Sequence, residues 1–397
     1  MNVAIFTNNY LPNPYGVSGS IESFRQELER LGHTVYVFAP NFKGYIDENP
    51  RVYRYPAIDF KFKKIRFPIV IPNSCLGGRR ACCVSRLLEK LEIEVIHAQH
   101  PNLLGWEARR WAKRKNVPLI FTWHTLYDQY AHFAPIIPSK LAAWWAIGNA
   151  RKYANRADQV IVPTASVQKI IRAWGVSNEN LTVVPTGINE KQFENFHGSE
   201  IRQKYAVGEA EILLVVITRF TKEKNSQFLF EAVAKVLQKN KQVKFLAGGD
   251  GDLLETLKDI AAEKNIAGQV IFAGFVPNEI KKDYYAAGDI FVFASKSETQ
   301  GMIISEAMYA GLPVVAVDGP GVRDMVTNQV TGLLTEENEA EFAAAVERLI
   351  KDKALRQKFA ENAGKIARQF YTATVCAQKL LAVYEQAIMR KKEKERQ

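Results

Sequence analysis

The chain has 397 residues, of which 47% are hydrophobic and 24% charged, a composition typical of soluble globular proteins that excludes an intrinsically disordered chain. This length is sufficient for two domains, each with its own core. No apolar run approaches the roughly 18 to 20 residues of a membrane-spanning helix. The N-terminus lacks the cationic and apolar pattern of a secretory signal, so we expect a cytoplasmic protein.

The net charge of +11 comes entirely from the N-terminal half. Residues 1–189 contain 24 Lys and Arg against 13 Asp and Glu, whereas residues 190–397 contain 29 of each. Such one-sided charge predicts that this half faces a polyanion, either an anionic membrane surface or nucleic acid. A basic face that is only solvated is the alternative interpretation.

The four cysteines are Cys75, Cys82, Cys83 and Cys376. They form no C-x-x-C pair, and no histidines lie near them at metal-ligand spacing. We therefore expect reduced thiols and no zinc site.

Short apolar strands alternate with helical patterns through the first half of the chain. The first helix is predicted at Ile21–Leu31, before Gly32. Strands are predicted at Val3–Phe6, Val35–Ala39, Val95–Ala98, Leu119–Trp123 and Gln159–Val162. This alternation predicts a parallel sheet that is covered by helices on both faces.

The same alternation restarts after residue 210. Strands are predicted at Ile212–Ile217, Val243–Ala247, Val270–Phe272, Ile290–Ala294 and Val314–Val317. Helices are predicted at Ser226–Gln238, Leu253–Lys264 and Ser305–Ala310, and a long final helix at Tyr371–Arg390. The chain is therefore α/β, with two doubly wound, Rossmann-like domains.

The domain boundaries follow from the polar segment that begins at Val184. We predict an N-terminal domain at 1–187, a second domain at 188–370, and a C-terminal helix with a charged tail at 371–397 that packs back toward the first domain. Ligands of such sheets bind beyond the carboxyl ends of the strands, so a cleft between the domains is the expected active site.

The strongest local signal is the segment Ser297–Ala316, which follows a predicted strand and leads into a helix. At the start of that helix we expect the backbone N–H groups of Gln300–Met302 to be available to an anion or a sugar oxygen. Gly301 permits close approach of the backbone. Glu298 and Glu306 can accept hydrogen bonds from sugar diols, although a surface loop with a capped helix is the plainer interpretation.

The second signal is the segment Thr218–Asn225, at the carboxyl end of a predicted strand. Arg219 can bind phosphate through two parallel hydrogen bonds, and Lys224 adds a point charge. Solvated Arg and Lys are common, so these residues gain meaning from the carboxylates of the same domain.

Together these motifs resemble glycosyltransferase family 4, in which a Glu-x7-Glu pair follows an Arg and a Lys by about 80 residues. The resemblance covers most of the chain. It implies the GT-B fold, in which two Rossmann-like domains face an interdomain cleft, and transfer of a hexose from a nucleotide-diphosphate sugar with retention of configuration. Further segments that resemble the family are Pro14–Ile21, Val183–Asn189, Gly248–Asp252 and Phe272–Ile280.

The resemblance also implies roles for individual residues. Arg219 and Lys224 would hold the diphosphate and stabilise the leaving group. Glu298 would bind hydroxyls of the transferred sugar, and Glu306 those of the ribose. His124 would lie near the sugar's 6-hydroxyl and anomeric centre, although a lone histidine is more often structural.

Other positions would contact the donor directly. The reaction implied is a front-face substitution in which the departing phosphate oxygen takes the acceptor proton, without a metal ion or other cofactor. The remaining donor-binding candidates are Gly16, Val276, Gln300, Gly301, Met302 and Ile303.

The segment His124–Phe133 resembles more specifically a run found in bacterial 1,2-diacylglycerol 3-alpha-glucosyltransferases. Asp128 and Phe133 depart from that run, which usually has Glu and Tyr. The resemblance implies transfer from UDP-glucose to a lipid, with diacylglycerol as the expected acceptor. Acceptor-binding candidates are Tyr127, Asp128, Tyr130 and His132.

A lipid acceptor also accounts for the charge of the first half. Lys61–Pro68 interleaves cations with apolar side chains, and Leu141, Trp144, Trp145 and Gly148 form an apolar face near basic residues. We expect peripheral association with the inner face of the cell membrane. An ordinary edge strand at 61–68 and core tryptophans are the alternatives.

Three other functions remain open. A transferase of the same fold could act on a soluble acceptor, such as a sugar phosphate or a cell-wall precursor. A glycosidase also uses two carboxylates but would not need Arg219 and Lys224. A nucleic-acid-binding protein would explain the charge, but no known binding module is present, so we expect no nucleic-acid partner.

Overall fold

The computed structural model describes residues 1–13, 16–62, 65–71, 78–130 and 138–396. The chain divides into two compact units. Unit 1 comprises Met1–Gly187 together with Ala373–Gln397, and unit 2 comprises Ile188–Thr372. Each unit contains its own parallel sheet, so the predicted pair of doubly wound, Rossmann-like domains is confirmed.

The central sheet of unit 1 has the strand order β3-β2-β1-β6-β7-β8-β9, and all its pairings are parallel. Its central strands are almost entirely buried and mostly apolar on both faces, with His97 and Thr122 as buried polar residues. The strands of unit 1, including β4 and β5 outside this sheet, are β1 (Asn2–Phe6), β2 (Thr34–Pro40), β3 (Val52–Tyr55), β4 (Ala57–Phe62), β5 (Ile65–Val70), β6 (Val95–Ala98), β7 (Leu119–Thr122), β8 (Gln159–Val162) and β9 (Leu181–Val183).

Strands β4 and β5 form a separate antiparallel pair, in which Phe62 lies opposite Ile65. This hairpin contains most of the Lys61–Pro68 segment that we singled out for membrane contact; residues 63 and 64 lie outside the described residues. Each strand of a two-stranded sheet is an edge strand, so this pairing agrees with the alternative interpretation of the segment.

Helices cover both faces of the unit 1 sheet. Thr164 caps the last of them by accepting a hydrogen bond from the Val167 N–H. The helices are α1 (Gly16–Arg30), α2 (Gly78–Lys90), α3 (Leu104–Lys115), α4 (Tyr127–Tyr130), α5 (Ser139–Ala154) and α6 (Ala165–Ala173).

Unit 2 repeats the arrangement with the strand order β12-β11-β10-β13-β14-β15, again all parallel. The strands are β10 (Ile212–Ile217), β11 (Val243–Gly248), β12 (Val270–Gly274), β13 (Ile290–Phe293), β14 (Val314–Val317) and β15 (Gly332–Thr335). The helices are α7 (Gly198–Lys204), α8 (Ser226–Lys239), α9 (Leu254–Glu263), α10 (Asn278–Ala287), α11 (Met302–Tyr309), α12 (Val322–Met325), α13 (Glu339–Lys351) and α14 (Lys353–Phe370). Short 3-10 turns lie at Glu190–Phe193, Lys222–Lys224 and Ala267–Gln269.

The final helix α15 (Ala373–Arg396) packs against α1 in unit 1, where Leu380 and Tyr384 join the core. It starts two residues later than the predicted Tyr371, because the carbonyl of Tyr371 accepts a hydrogen bond from the Ile188 N–H at 2.7 Å. It also continues through the charged tail. Within the described residues, no helix is both long and apolar enough to cross a bilayer.

Candidate active site

The loops after β10, β11 and β12 are joined by backbone hydrogen bonds at the carboxyl edge of the unit 2 sheet. The N–H of Thr218 donates to the carbonyl of Gly248 at 2.9 Å, and the N–H of Gly249 donates to that of Gly274 at 2.7 Å. Gly249 has φ +145°, and a Cβ at this position would lie 1.8 Å from the carbonyl oxygen of Thr218. Only glycine therefore allows the segment that carries Arg219 to lie against its neighbour.

Two of the predicted catalytic residues are in direct contact. Nζ of Lys224, in the 3-10 turn after β10, lies 2.6 Å from Oε1 of Glu298, in the loop after β13. The two side chains are 13% and 14% exposed, so this is a mostly buried ion pair. It joins a cation suited to phosphate with a carboxylate suited to sugar hydroxyls at one edge of the sheet.

The environment of Glu298 keeps its carboxyl group ionised. Burial opposes ionisation, but the charge and hydrogen bond of Lys224, with Ser295 and Arg219 nearby, lower the pKa of Glu298 below its ordinary value. The carboxylate is thus an acceptor at neutral pH.

Arg219 lies next to a carboxylate that our sequence reasoning did not select. Its Nη2 is 3.3 Å from Oε1 of Glu223, whose side chain is only 5% exposed, whereas the Arg219 side chain is 42% exposed. The carbonyl of Glu223 accepts a hydrogen bond from Oγ of Ser297 at 3.0 Å. Glu223 therefore links the Arg219 segment to the Glu298 loop; its place between Arg219 and Lys224 in the sequence was the available signal.

The turn before α11 is left-handed at Gly301, which has φ +80° and precedes Met302, the first residue of the helix. A Cβ at Gly301 would lie 3.7 Å from Cγ of Glu298, so this helix starts beside Glu298. Gln300 is buried, whereas Met302 and Ile303 are partly exposed.

Glu306, on the same helix, is hydrogen-bonded through both carboxylate oxygens. Nζ of Lys281 lies 2.8 Å from Oε1, and the hydroxyl of Tyr285 donates to Oε2 at 2.9 Å. Val276, the predicted contact to the base, is buried just before α10.

In unit 1, His124 follows β7, and its Nε2 lies 2.6 Å from Oε1 of Gln99, which follows β6. β6 and β7 are neighbours in the sheet, so their carboxyl ends bring the two side chains together. Gln99 is buried and was not selected from the sequence. Its contact restricts the orientation of the His124 ring.

Two more histidines lie at the same edge. Burial lowers the pKa of His97 to about 3 and that of His100 to about 4. Burial, with the nearby His100 and His97, lowers the pKa of His124 to about 3. All three rings are therefore neutral at physiological pH.

His97 is held on both sides by hydroxyl groups. Its Nε2 lies 2.6 Å from Oγ1 of Thr122 on β7, and its Nδ1 lies 2.7 Å from the hydroxyl of Tyr384 on α15. It thus connects the C-terminal helix to the strand that ends just before His124.

The acceptor candidates are only partly described. Tyr127 packs edge-on against Trp123, with ring centroids 5.8 Å apart, and Asp128 is exposed. Tyr130 ends α4, and His132 lies outside the described residues. Gly16 is the first residue of α1, and a Cβ there would have no atom within 4 Å.

The structure thus brings Lys224 into direct contact with Glu298, with Arg219 nearby. Glu306 lies on α11, the helix that follows the Glu298 loop. In unit 1, His124 contacts Gln99. A doubly wound parallel sheet with cations and carboxylates at the carboxyl ends of its strands is typical of nucleotide-binding α/β enzymes.

Sequence comparison identifies the family. The profile described as "Glycosyltransferase Family 4" matches residues 14–192, and that of "Glycosyl transferases group 1" matches residues 198–366. Alpha-monoglucosyldiacylglycerol synthase of Streptococcus pneumoniae is 31% identical over 94% of this chain and 85% of its own length. The enzyme of the same name from Acholeplasma laidlawii is 30% identical over 85% and 86%, respectively.

The chain belongs to glycosyltransferase family 4 and is a glycosyltransferase. The solved structure of Anabaena HepE in complex with UDP and glucose is similar, with a TM-score of 0.76 at 20% identity, over 97% of this chain and all of that one. This similarity confirms the GT-B fold class.

Proposed function

We propose that this protein transfers glucose from UDP-glucose to diacylglycerol with retention of configuration, giving a glucosyl-diacylglycerol. The observation that carries the proposal is the buried Lys224–Glu298 ion pair beside Arg219 at the carboxyl edge of a parallel sheet. The names of the two relatives that are 30–31% identical support both the sugar and the acceptor.

On the donor side, Arg219 and Lys224 bind the diphosphate. Lys224 then lies between Glu298 and the phosphate, so one ammonium group contacts both the carboxylate that binds the sugar and the phosphate of the leaving group. Glu298 binds hydroxyls of the glucose, with the N–H groups after Gly301 as further donors.

The reaction exchanges one bond at the anomeric carbon. The acceptor hydroxyl oxygen bonds to this carbon on the face from which the diphosphate departs, and the carbon–phosphate-oxygen bond breaks. The hydroxyl proton passes to the departing phosphate oxygen. Arg219 and Lys224 stabilise the negative charge on the nucleoside diphosphate.

A face of α5 supports contact with a membrane. Leu141, Trp144 and Trp145 are 54%, 72% and 59% exposed, so the interpretation of the tryptophans as core is wrong. Their i, i+3, i+4 spacing places them on one side of the helix. Basic residues of this helix and its end are Lys140, Arg151, Lys152 and Arg156. Exposed aromatic rings beside cations suit the headgroup region of an anionic bilayer.

The direct test incubates purified protein and radiolabelled UDP-glucose with diacylglycerol in anionic vesicles. We expect labelled glucolipid, reduced at least a hundredfold in Glu298→Ala and Arg219→Ala. Glu255→Ala is the matched control, because Glu255 is 80% exposed on another helix of unit 2 and should leave turnover unchanged. Product formed only with soluble sugar acceptors would refute diacylglycerol as the acceptor. A protein that does not bind UDP-glucose would refute UDP-glucose as the donor.

The membrane contact is tested separately by sedimentation with vesicles. Trp144→Ala/Trp145→Ala should lower binding to anionic vesicles about tenfold. Ile46→Ala removes another exposed apolar side chain of unit 1, outside α5, and should not lower it. Equal binding of both variants would show that α5 does not contact the bilayer.

A further inference from the structure

Glu306 is held by two side chains of a single neighbouring helix. Lys281 and Tyr285 are four residues apart on α10, so they project from the same side of that helix. One contacts Oε1 and the other Oε2 of the carboxylate. Lys281 and Glu306 are only 14% and 11% exposed, and Tyr285 is fully buried.

The two contacts leave a defined part of the carboxylate available. A carboxylate has about four acceptor positions, two on each oxygen. Lys281 occupies one on Oε1 and Tyr285 one on Oε2, so with respect to the described residues one position remains on each oxygen. Two adjacent acceptors of this kind match the two hydroxyls of a vicinal diol.

We propose that Lys281 and Tyr285 are positioning residues that orient Glu306 so that it selects nucleotides with both ribose hydroxyls over their 2′-deoxy forms. The inference rests on the donor site of the proposed function and not on the acceptor. It assigns the selectivity to the pair on α10 that holds the carboxylate, in addition to the carboxylate itself.

The orientation of Tyr285 is fixed by its own neighbours. Its ring lies 5.8 Å from that of Phe291 on β13, edge to face, and 6.4 Å from that of Phe193. Burial, with the nearby Glu306, raises the pKa of Tyr285, so its hydroxyl remains protonated and donates. A rigid phenol donor and a buried ammonium therefore restrict rotation of the Glu306 carboxylate.

The test measures nucleotide binding calorimetrically, with UDP and GDP each compared with its 2′-deoxy form. Using both bases makes the result independent of the base that the donor carries. For the wild type we expect the ribonucleotide to bind at least about tenfold more tightly, since each lost hydrogen bond to a charged group costs roughly that factor.

In Lys281→Met and Tyr285→Phe we expect this preference to fall at least about threefold, because the carboxylate is no longer held in one orientation. Lys281→Arg retains a cation and should retain the preference. Lys258→Met is the control, since Lys258 is 46% exposed and, within the described residues, pairs with Glu255 on its own helix.

The outcomes separate this inference from the proposed function. Nucleotide binding with an unchanged preference in both variants would overturn the inference and leave the transferase standing. Equal weakening of ribo and deoxy forms would overturn it too, because that indicates only a structural role. A wild type that binds neither UDP nor GDP would overturn the donor site and the inference together.

Discussion

The buried pair Lys224–Glu298 gives a stability prediction that does not depend on knowing the substrate. Removing one partner of a buried ion pair costs about 3–5 kcal/mol, because the other charge is left without compensation. Both side chains retain 13–14% exposure, and Arg219 still acts on Glu298. We therefore expect Lys224→Met to lower the free energy of unfolding by about 3 kcal/mol at neutral pH.

The pH dependence of this loss is specific. In the wild type the pKa of Glu298 is lowered below 4.5, so the pair stabilises the fold above that value and the contribution is lost as the pH falls through the lower, folded pKa. In Lys224→Met burial prevails and the pKa of Glu298 rises. The deficit of the variant should therefore be largest near neutral pH and shrink as Glu298 becomes protonated.

The assay is urea unfolding at several pH values, followed by far-UV circular dichroism. Tryptophan fluorescence provides an internal comparison, because every tryptophan belongs to unit 1: Trp106, Trp111, Trp123, Trp144, Trp145 and Trp174. The double variant Lys224→Met/Glu298→Gln removes both charges and should recover most of the loss. The exposed pair Lys258–Glu255, treated in the same way, should change stability by less than about 0.5 kcal/mol.

Two results would refute this reasoning. A Lys224→Met protein as stable as the wild type at neutral pH would mean that the pair is not electrostatically important. A deficit that does not shrink on acidification would mean that lost packing, and not an uncompensated Glu298 carboxylate, causes it.

Three further predictions concern the strand edges. Because His97 has a lowered pKa, the unfolded chain takes up a proton below about pH 6.5 that the folded chain does not, so the free energy of unfolding decreases as the pH is lowered. His97→Gln should reduce this pH slope by about 1.4 kcal/mol per pH unit in fluorescence-monitored unfolding, and an unaltered slope would count against the prediction. Gln99→Leu removes the partner of His124 and should lower kcat about tenfold with little change in donor KM; an unchanged kcat would contradict this role. Gly321 has φ +73°, and a Cβ there would lie 2.6 Å from the carbonyl oxygen of Glu298. Gly321→Ala should therefore displace the loop that carries Glu298, weaken UDP binding and lower the melting temperature. Wild-type affinity for UDP in calorimetry would exclude such a displacement.

The central strands could be predicted because parallel strands that are buried on both faces leave an uninterrupted apolar signature in the sequence. The start of α1 could not. Residues 16–20 are rich in Gly and Ser, which are weak helix formers, so periodicity placed the helix start at Ile21. Tertiary contacts stabilise this turn instead: Oγ of Ser20 lies 2.6 Å from Oγ1 of Thr186, and Oγ of Ser23 donates to the carbonyl of Gly187.

In the candidate site, too, some residues could be selected from the sequence and others could not. Arg219, Lys224 and Glu298 carry a recognisable spacing, so their type and order in the chain were informative. Their partners carry no such signal. Gln99 and Lys281 each contact a residue 25 positions away, and these contacts arise only when neighbouring elements pack together. A sequence pattern thus identifies the groups that we propose to contact the substrate, while the side chains that contact those groups are found only in the folded structure.

The three histidines at the carboxyl edge of the unit 1 sheet bear on where the acceptor proton goes in the proposed reaction. A general base works best when its pKa is near the working pH. The pKa of His124 is lowered to about 3 by burial and by its neighbours His100 and His97, roughly four units below neutral pH. A histidine with such a low pKa is a poor general base for an acceptor hydroxyl. As a neutral ring in contact with Gln99, it can still form a hydrogen bond with a sugar hydroxyl. In the proposed reaction, the departing phosphate oxygen gains basicity as its bond to the anomeric carbon breaks and is therefore the better proton acceptor. Arg219 and Lys224 are then the residues proposed to stabilise the charge that remains on the diphosphate.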